Sequence, residues 1–335
     1  MSFSSREWHL VARPVGEPVP TDFSLVTTTV PDPGPSQVVV RNDFVSVDPY
    51  MRGRMNEGES YIPQFELGEA MTGSAVGTVV ASGSDDVPVG ATVSHFQGWR
   101  EYALLDAAQA QVVDPNLAPA QAYLGVLGTT GLTAWGGLKE IAPVREGDVV
   151  FISGAAGAVG SVAGQLARKL GASTVIGSAG GPEKVRRLTE EFGYDVGIDY
   201  RTGDLVEQLR KAAPDGIDVY FDNVGGDHLD AALVTMNRYG RIALCGAISV
   251  YNDTELRPGP KHLPLAIGKR ITLRGMNVSD HLHLAPEFIP QAATWLAEGT
   301  LATEETVVDG IDNAVDAFLA MMRGANTGKM LVRLP

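Results

Sequence analysis

The sequence predicts an α/β protein that combines a small β domain with a doubly wound parallel sheet. Its 335 residues exceed the usual size of a single hydrophobic core, so two domains are expected, with one large barrel as the alternative. Up to about residue 120, short runs of β-branched and aromatic residues are interrupted by glycine and proline. From Tyr123 onward, apolar strand segments alternate with amphipathic helical segments, the pattern of a parallel sheet with helices on both faces.

The first part is predicted to form a compact β domain. Turn-forming residues, such as those at 31–34 and 82–85, separate its strand segments. The predicted strands are Gln37–Val40, Gly73–Ala81, Ala91–Phe96 and Glu101–Leu105.

The second part is predicted to form a dinucleotide-binding fold, because six strands alternate with crossover helices. The predicted strands are Asp148–Ser153, Thr174–Gly177, Val196–Tyr200, Ile217–Asp222, Arg241–Gly246 and Ile271–Val278. The predicted helices are Val159–Leu170, Glu183–Phe192, Asp204–Lys211, His228–Met236 and Pro286–Glu298. The end of the chain, Glu305–Pro335, is predicted to form a strand, a helix and a strand that return to the first domain. The domain boundaries are therefore expected at 1–122, completed by 300–335, and at 123–299.

Composition and charge exclude several classes of protein. Hydrophobic residues make up 44% and charged residues 20% of the chain, which indicates a globular protein. The 26 basic and 40 acidic residues give a net charge of −14, which argues against nucleic acid as a partner. The uncharged stretch at 149–167 contains four glycines and fits a strand, turn and helix better than a membrane span. The start of the chain has no apolar core of signal-peptide length, so a cytoplasmic protein is expected.

A glycine-rich turn carries the most information. The strand that ends at Ser153 runs into Gly154-Ala155-Ala156-Gly157-Ala158-Val159-Gly160 and then into a helix, the context of a dinucleotide site. The turn departs from the pattern G-x-G-x-x-G, because Ala155 stands where the first glycine would be. Gly157 would let the backbone approach a pyrophosphate, and Gly160 would allow close packing of helix and strand. The alternative is a tight strand-to-helix turn without a cofactor.

The end of the second strand predicts the type of coenzyme. An NAD-selective site usually has an acidic residue there, whereas this strand continues as Gly177-Ser178-Ala179-Gly180-Gly181-Pro182. The next helix opens with Glu183 and Lys184, followed by Arg186 and Arg187. A basic turn without an acid suits a 2′-phosphate, so NADPH is predicted, with Lys184 as a donor. The alternative is that these cations form an ordinary solvated helix face.

Five sequence blocks carry a family resemblance. They are Asp48–Met55, Ala155–Gly160, Phe221–Gly226, Cys245–Asn252 and Asn326–Lys329, in that order. Together they resemble the zinc-independent medium-chain dehydrogenase/reductases of the prostaglandin and leukotriene reductase, alkenal double-bond reductase and curcumin reductase group. The resemblance extends over nearly the whole chain.

The resemblance implies a fold, a cofactor and a site. It implies a GroES-like substrate domain built from both chain ends, a Rossmann domain between them, bound NADPH and a homodimer. Lys184 and Tyr200 would hold the 2′-phosphate. The other residues implied to bind the cofactor are Gly157, Ala158, Val159, Gly160, Asn223, Cys245, Gly246, Ala247, Ile248, Ser249, Tyr251, Met276, Asn277, Val278 and Asn326.

The chain offers few ligands for a catalytic metal. The zinc branch of the superfamily needs Cys, His and Glu ligands, and Cys245 is the only cysteine in this sequence. His281 and His283 form a short H-x-H without a further spaced ligand, so a loop or packing role is expected for them and for His95. The chemistry is therefore predicted to be hydride transfer without a metal.

A conjugated ketone or aldehyde suits metal-free hydride transfer, because hydride adds to the β carbon and neutral donors can stabilise the resulting enolate. The resemblance points to Tyr251 and Tyr50 as these donors, and for each the alternative is a packing role. Tyr61 and Trp99 are candidate pocket walls. Residues 128–133 would either bring the backbone close to the nicotinamide or form a glycine-rich helix start.

The sequence thus predicts an NADPH-dependent reductase of the carbon–carbon double bond in enones and alkenals, with a small activated alkene as its substrate. Two alternatives remain at this point. One is a quinone reductase of the same superfamily, and the other is a protein that binds NADPH without catalysis.

Overall fold

The computed structural model describes residues 2–335. Its strands are β1 (Phe3–Leu10), β2 (Phe23–Val30), β3 (Gln37–Ser46), β4 (Ala75–Ser82), β5 (Thr92–His95), β6 (Tyr102–Asp106), β7 (Gln111–Val112), β8 (Val149–Ile152), β9 (Thr174–Ala179), β10 (Val196–Asp199), β11 (Ile217–Asp222), β12 (Met236–Leu244), β13 (Thr272–Gly275), β14 (Glu305–Asp309) and β15 (Lys329–Arg333). Its α-helices are α1 (Tyr50–Arg54), α2 (Thr129–Gly136), α3 (Ala158–Lys169), α4 (Pro182–Glu190), α5 (Leu205–Ala212), α6 (Gly226–Thr235), α7 (Leu265–Lys269), α8 (Ala285–Ala297) and α9 (Ala314–Met322).

The chain divides into two compact units. The first comprises the chain up to Gly125 together with Glu305–Asn326 and Met330–Pro335, and the second comprises Val126–Glu304 and Thr327–Lys329. None of the helices in residues 2–335 combines the length and the apolar character needed to cross a bilayer.

The first unit is built on antiparallel strands. β1 pairs with β2, and a second sheet has the order β14-β15-β3-β4-β5-β7, with β6 also paired to β3. β15 lies beside β3 with Leu331 opposite Ser46, so the end of the chain adds a strand to the sheet of its first part. Trp99 is fully buried in the core of this unit, and its ring meets Phe318 edge to face at 6.2 Å.

The second unit contains a parallel sheet with the order β10-β9-β8-β11-β12-β13. This is the order of a doubly wound dinucleotide-binding sheet, in which the strand sequence reverses between β8 and β11. Phe151 and Tyr220 are fully buried and stack at 4.9 Å between ring centroids, which fixes β8 against β11. The carboxyl ends of these two central strands therefore define the crevice in which such sheets bind ligands.

The prediction for the first unit omits β1 and β2 and ends β3 at Val40 rather than Ser46. In the parallel sheet, two strands differ from the prediction by three residues or more at one end. β12 begins at Met236, five residues before the predicted Arg241, because Met236 pairs with Ile217 across a register shift. β13 ends at Gly275 rather than Val278, because its pairing with β12 stops where β12 reaches Leu244.

The glycine-rich stretch at 128–133 is the start of a helix. α2 begins at Thr129, and a Cβ on Gly131 would lie 1.9 Å from the Val126 carbonyl oxygen. Only glycine fits such a close approach of two backbone segments. Of the two alternatives left open for this stretch, the structure shows the glycine-rich helix start.

Candidate functional site

The turn between β8 and α3 contains backbone amides that have no acceptor within the helix. The first backbone hydrogen bond of α3 runs from Ser161 N to Gly157 O at 2.9 Å, so the amides of Ala158, Val159 and Gly160 have no intrahelical acceptor. Gly157 caps the helix without a side chain, and the first turn contains no acidic residue. The amides of a first helical turn and the positive end of the helix dipole suit an anion, so this turn fits a pyrophosphate.

Gly160 allows the helix to pack closely on the turn. A Cβ at this position would lie 2.4 Å from the Gly154 carbonyl oxygen and 2.6 Å from the Ala155 Cα. Both neighbours are backbone atoms, so they could move only if the whole turn shifted. The close packing predicted for Gly160 is confirmed.

Replacing Gly160 with Ala should destabilise the second unit by about 1–3 kcal/mol, because the new methyl group overlaps the backbone of the turn. Urea unfolding of the two proteins measures this difference. Gly268→Ala is the matched control, since a Cβ there would meet no atom within 4 Å. Equal stability of Gly160→Ala and the wild type would contradict the packing argument.

The C-terminal segment also reaches this turn. The Gly328 amide donates to the Ala156 carbonyl oxygen at 2.8 Å, and Gly328 forms a bridge with Gly157. A Cβ on Gly328 would lie 1.9 Å from the Glu304 carbonyl oxygen, which explains the glycine. Asn326, predicted to bind the cofactor, stands two residues before this contact in the sequence.

A buried carboxylate organises the end of β11. Asp222 is 1% exposed, and its Oδ1 accepts hydrogen bonds from the Tyr220 hydroxyl at 2.6 Å and the Ser153 hydroxyl at 3.1 Å. The same oxygen accepts the backbone amides of Val224 at 2.9 Å and Gly225 at 2.8 Å. Sequence reasoning missed this role, because the partners of Asp222 come together only in the folded sheet.

Asn223 is held by Ser153, the residue that follows β8. Its backbone amide donates to the Ser153 hydroxyl at 3.0 Å, and its side-chain Nδ2 donates to the Ser153 carbonyl oxygen at 2.7 Å. Asn223 therefore sits at the carboxyl end of a central strand, as predicted, with its side-chain donor already engaged.

The loop after β12 lies over the same strand ends. The amides of Cys245 and Gly246 donate to the Asp222 carbonyl oxygen at 2.9 and 3.0 Å. The Ser249 hydroxyl donates to the Val224 carbonyl oxygen at 2.6 Å. Burial raises the pKa of the Cys245 thiol to about 12, so this side chain stays protonated.

Tyr251 stands at the end of this loop, and its hydroxyl oxygen lies near Gly246 and Ala247. The Ala247 amide donates to the Tyr251 oxygen at 3.2 Å, and a Cβ on Gly246 would lie 3.4 Å from that oxygen. Burial is the main cause that raises the pKa of Tyr251 above its ordinary value. The phenol is therefore neutral, accepts one hydrogen bond and keeps its own proton to donate.

Met276 and Asn277 follow β13 at the same edge of the sheet. The Met276 amide donates to the Leu244 carbonyl oxygen at 2.9 Å. Asn277 caps the 3₁₀ turn that begins at Val278, because its side-chain oxygen accepts the Ser279 amide at 3.1 Å. The loops after β11, β12 and β13 thus contain the predicted residues from Asn223 to Val278.

The basic residues that follow β9 are of two kinds, which differ in their ion pairing and burial. Arg186 pairs with Glu183 at 2.7 Å and also with Glu190. Arg187 pairs with Glu191 at 2.6 Å and Glu304 at 2.9 Å. These two arginines form a solvated, ion-paired face, which was the alternative for the whole turn.

Lys184 differs from these two arginines. Burial lowers the pKa of Lys184, and the charge of Arg201 lowers it further. Lys184 therefore lies next to a second cation. Tyr200 is 41% exposed, and its ring meets His228 edge to face at 5.1 Å.

Tyr50 belongs to the first unit, where it begins α1. Its hydroxyl oxygen is buried and has no hydrogen-bond partner among residues 2–335. Burial, followed by the charge of Asp48, raises the pKa of Tyr50 well above its ordinary value. A neutral buried hydroxyl without a partner is costly unless something else binds it, so Tyr50 is available to a ligand. Tyr61 acts electrostatically on Tyr50 and is 71% exposed.

The three histidines considered in the sequence analysis have hydrogen-bond partners within the protein. His95 Nε2 lies 2.9 Å from Asn42 Oδ1, and burial lowers the pKa of His95 to about 4. His281 Nδ1 and His283 Nε2 lie 2.7 and 3.1 Å from the two carboxylate oxygens of Glu140. Trp99, a candidate pocket wall, is a core residue whose indole donates to the Ser46 carbonyl oxygen at 3.3 Å.

Comparison with known proteins connects these features to a family. Residues 6–113 match the family described as N-terminal domain of oxidoreductase, and residues 158–298 match the family described as zinc-binding dehydrogenase. The chain is 40% identical to the NADPH-dependent curcumin reductase of Escherichia coli over 98% of this chain and 97% of that protein. It is also 40% identical to the NADP⁺-dependent 2-alkenal reductase of Nicotiana tabacum, over 95% and 94% of the two chains.

One solved structure is similar to this chain in both fold and sequence. The crystal structure of CurA from Vibrio vulnificus in complex with NADPH superimposes with a TM-score of 0.94 at 38% identity, over 98% of this chain and 99% of that one. It is the structure of a relative with the coenzyme bound.

Zinc, which one family description names, does not fit the donors present here. Within residues 2–335, no three His, Cys, Asp or Glu side chains are grouped so that they could hold a metal ion. The only cysteine, Cys245, keeps its thiol protonated, and His281 and His283 share one carboxylate. No step of the chemistry is therefore assigned to zinc.

NADPH, by contrast, fits the second unit. The amides at the start of α3 suit its pyrophosphate, and the turn after β9 has a lysine in place of the acid that favours NAD. The fold combines the GroES-like and Rossmann parts of the structural relatives. The chain therefore belongs to the medium-chain dehydrogenase/reductase family, in the group of curcumin, 2-alkenal and prostaglandin reductases, and is an NADP-dependent oxidoreductase.

Proposed function

We propose that this enzyme reduces the carbon–carbon double bond of α,β-unsaturated ketones and aldehydes. The observation that carries the proposal is the state of two phenols. The Tyr251 oxygen accepts the Ala247 amide and keeps its proton, and the Tyr50 hydroxyl is buried without a hydrogen-bond partner among residues 2–335, so both can donate a hydrogen bond. Relatives at 40% identity are named as reductases of curcumin and of 2-alkenals, which supports this substrate class.

NADPH supplies the hydride when it is bound. The residues that we propose to hold it in the second unit are Gly157, Ala158, Val159, Gly160, Lys184, Tyr200, Asn223, Cys245, Gly246, Ala247, Ile248, Ser249, Tyr251, Met276, Asn277 and Val278. We propose Asn326 as a further cofactor residue, and we assign NADPH binding to the second unit and substrate binding to the first.

Tyr251 is the proposed donor to the substrate carbonyl. Negative charge appears on that oxygen when hydride reaches the β carbon, and a neutral O–H donor strengthens its hydrogen bond as the charge grows. The Ala247 amide holds the Tyr251 oxygen at 3.2 Å, which orients the phenol without using its proton. The α proton then comes from this hydroxyl, from a ribose hydroxyl or from water.

Tyr50 is the proposed second donor. Its hydroxyl has no partner among residues 2–335, so a hydrogen bond to a substrate oxygen would remove the cost of an unsatisfied buried group. Burial and the charge of Asp48 outweigh the opposing effect of Arg54 on the pKa of Tyr50, so this hydroxyl stays protonated and can donate. Removing the Tyr50 hydroxyl should cost turnover without costing stability.

A substrate panel tests the proposal. Purified protein and NADPH would be mixed with alkenals, alkenones and quinones, and the loss of NADPH absorbance would be recorded. The proposal requires kcat/KM to be highest for an alkenal or alkenone. A preference for quinones would identify a quinone reductase instead, and stoichiometric NADPH binding without turnover of any activated alkene would indicate a non-catalytic protein.

We also propose that two copies form a homodimer. β13 ends the sheet order of the second unit, and nearby Ile267 is 83% exposed and Leu265 38% exposed. An edge strand beside exposed apolar side chains favours pairing with a second copy. Sedimentation equilibrium should show the mass of two chains, whereas the mass of one chain would contradict the proposed dimer.

We also propose that the protein is located in the cytoplasm.

A further inference from the structure

Arg201 lies at the turn that follows β10, beside the predicted 2′-phosphate residues. Its backbone amide donates to Asp199 Oδ1 at 3.0 Å, and the same oxygen accepts the Gly181 amide at 3.0 Å. The carboxylate thus ties the residue after Tyr200 to the turn that precedes α4. Arg201 was not among the residues implied by the family resemblance.

The side chain of Arg201 covers the turn between β9 and α4. A Cβ on Gly180 would lie 2.8 Å from Arg201 Nε and 2.9 Å from the Tyr200 hydroxyl oxygen. A Cβ on Gly181 would lie 3.9 Å from Arg201 NH1. The guanidinium and the phenol therefore lie together over two glycines, and Gly180 leaves the space that both of them need.

Arg201 differs from Arg186 in its ion pairing. Arg201 has no carboxylate within ion-pair distance among residues 2–335, whereas Arg186 pairs with Glu183 and Glu190. The charge of Arg201 also acts on Lys184, which lies in the first turn of α4. Two neighbouring cations repel each other, so an anion bound between them would lower the electrostatic energy.

We propose that Arg201 is a coenzyme-specificity residue whose guanidinium binds the 2′-phosphate of NADPH together with Lys184 and Tyr200. A phosphate monoester carries close to two negative charges at neutral pH, which matches two cations. The planar guanidinium can donate two parallel hydrogen bonds to phosphate oxygens, which a lysine cannot do. His228 positions Tyr200 by its edge-on contact. This inference rests on the proposed roles of Lys184 and Tyr200.

Calorimetric titration of the full-length protein with 2′-AMP and 5′-AMP tests the proposal without relying on turnover. Arg201→Gln should raise the dissociation constant of 2′-AMP about tenfold to a hundredfold, the range for one hydrogen-bonded charge. The dissociation constant of 5′-AMP should change less than about twofold, because that ligand lacks the 2′-phosphate. Arg201→Lys, which keeps the charge but not the planar fork, should fall between Arg201→Gln and the wild type.

Arg186→Gln is the matched control, since it removes a neighbouring arginine that acids already neutralise. It should leave the affinity for 2′-AMP unchanged. If Arg201→Gln binds 2′-AMP as the wild type does while Lys184→Ala binds it more weakly, the role of Arg201 is overturned and the phosphate site stands. If neither variant weakens 2′-AMP, the assignment of Lys184 fails as well. Equal weakening of 2′-AMP and 5′-AMP would show that Arg201 contacts the adenosine instead, which also overturns the proposal.

Discussion

Tyr251→Phe should slow hydride transfer about tenfold to a thousandfold, which corresponds to roughly 1.4 to 4 kcal/mol of lost transition-state stabilisation. The variant removes the O–H that would donate to the enolate oxygen and leaves the ring in place. Because that hydrogen bond strengthens as charge develops, the rate should fall more than substrate binding. Single-turnover oxidation of NADPH with a saturating enone measures this step.

Two further variants test whether the loss of rate is specific to the Tyr251 hydroxyl. Tyr239→Phe removes the hydroxyl of a tyrosine that is 67% exposed on β12 in the same unit, and it should leave the rate unchanged. Tyr50→Phe should cost less than Tyr251→Phe, because Tyr50 is proposed only as the second donor. A wild-type rate for Tyr251→Phe would mean that the ribose hydroxyl or water carries the proton chemistry and that Tyr251 only packs against the cofactor.

Lys184→Ala should raise the KM for NADPH about tenfold to a hundredfold and change the KM for NADH little, because only NADPH carries the 2′-phosphate. Initial-rate kinetics with both coenzymes at a fixed enone concentration measure the two values. The effect should be large because Lys184 is partly desolvated, which strengthens a charge-assisted hydrogen bond.

Arg186→Ala provides the comparison, because Arg186 is already ion-paired with Glu183 one turn before it and with Glu190 one turn after it. This variant should leave both KM values near those of the wild type. If Lys184→Ala raised the KM for NADH as much as that for NADPH, Lys184 would act on the fold of α4 and not on the 2′-phosphate.

The sequence predicted the central sheet well, because its strands are continuous apolar runs between clear turns. β11 was predicted with its observed bounds, Ile217–Asp222, and α3 was predicted to within one residue. The start of β12 was predicted too late. Asn237, Arg238 and exposed Tyr239 do not form a strand pattern, and Tyr239 has a φ of 62°. Pairing with β11, rather than local preference, makes this segment a strand.

Parts of the site depend on contacts that no local pattern contains. The glycine turn and Lys184 could be predicted as cofactor-binding residues, because each is recognised from residues that are adjacent in the sequence. The network around Asp222 joins β8 to β11 across 69 residues of sequence, as the bond from Ser153 shows. Arg201 became a candidate only when the structure placed it over Gly180, which is 21 positions earlier in the chain (201 − 180 = 21).

The position of the transferred hydride tests the central claim most directly. The protein would be incubated with an acyclic enone and NADPH deuterated at C4 of its nicotinamide ring, prepared as each of the two epimers, and the product would be analysed by NMR. Reduction of the carbon–carbon double bond predicts a saturated ketone with one deuterium on the β carbon from one of the two epimers. An allylic alcohol with deuterium on the former carbonyl carbon, or no product with either epimer, would contradict it.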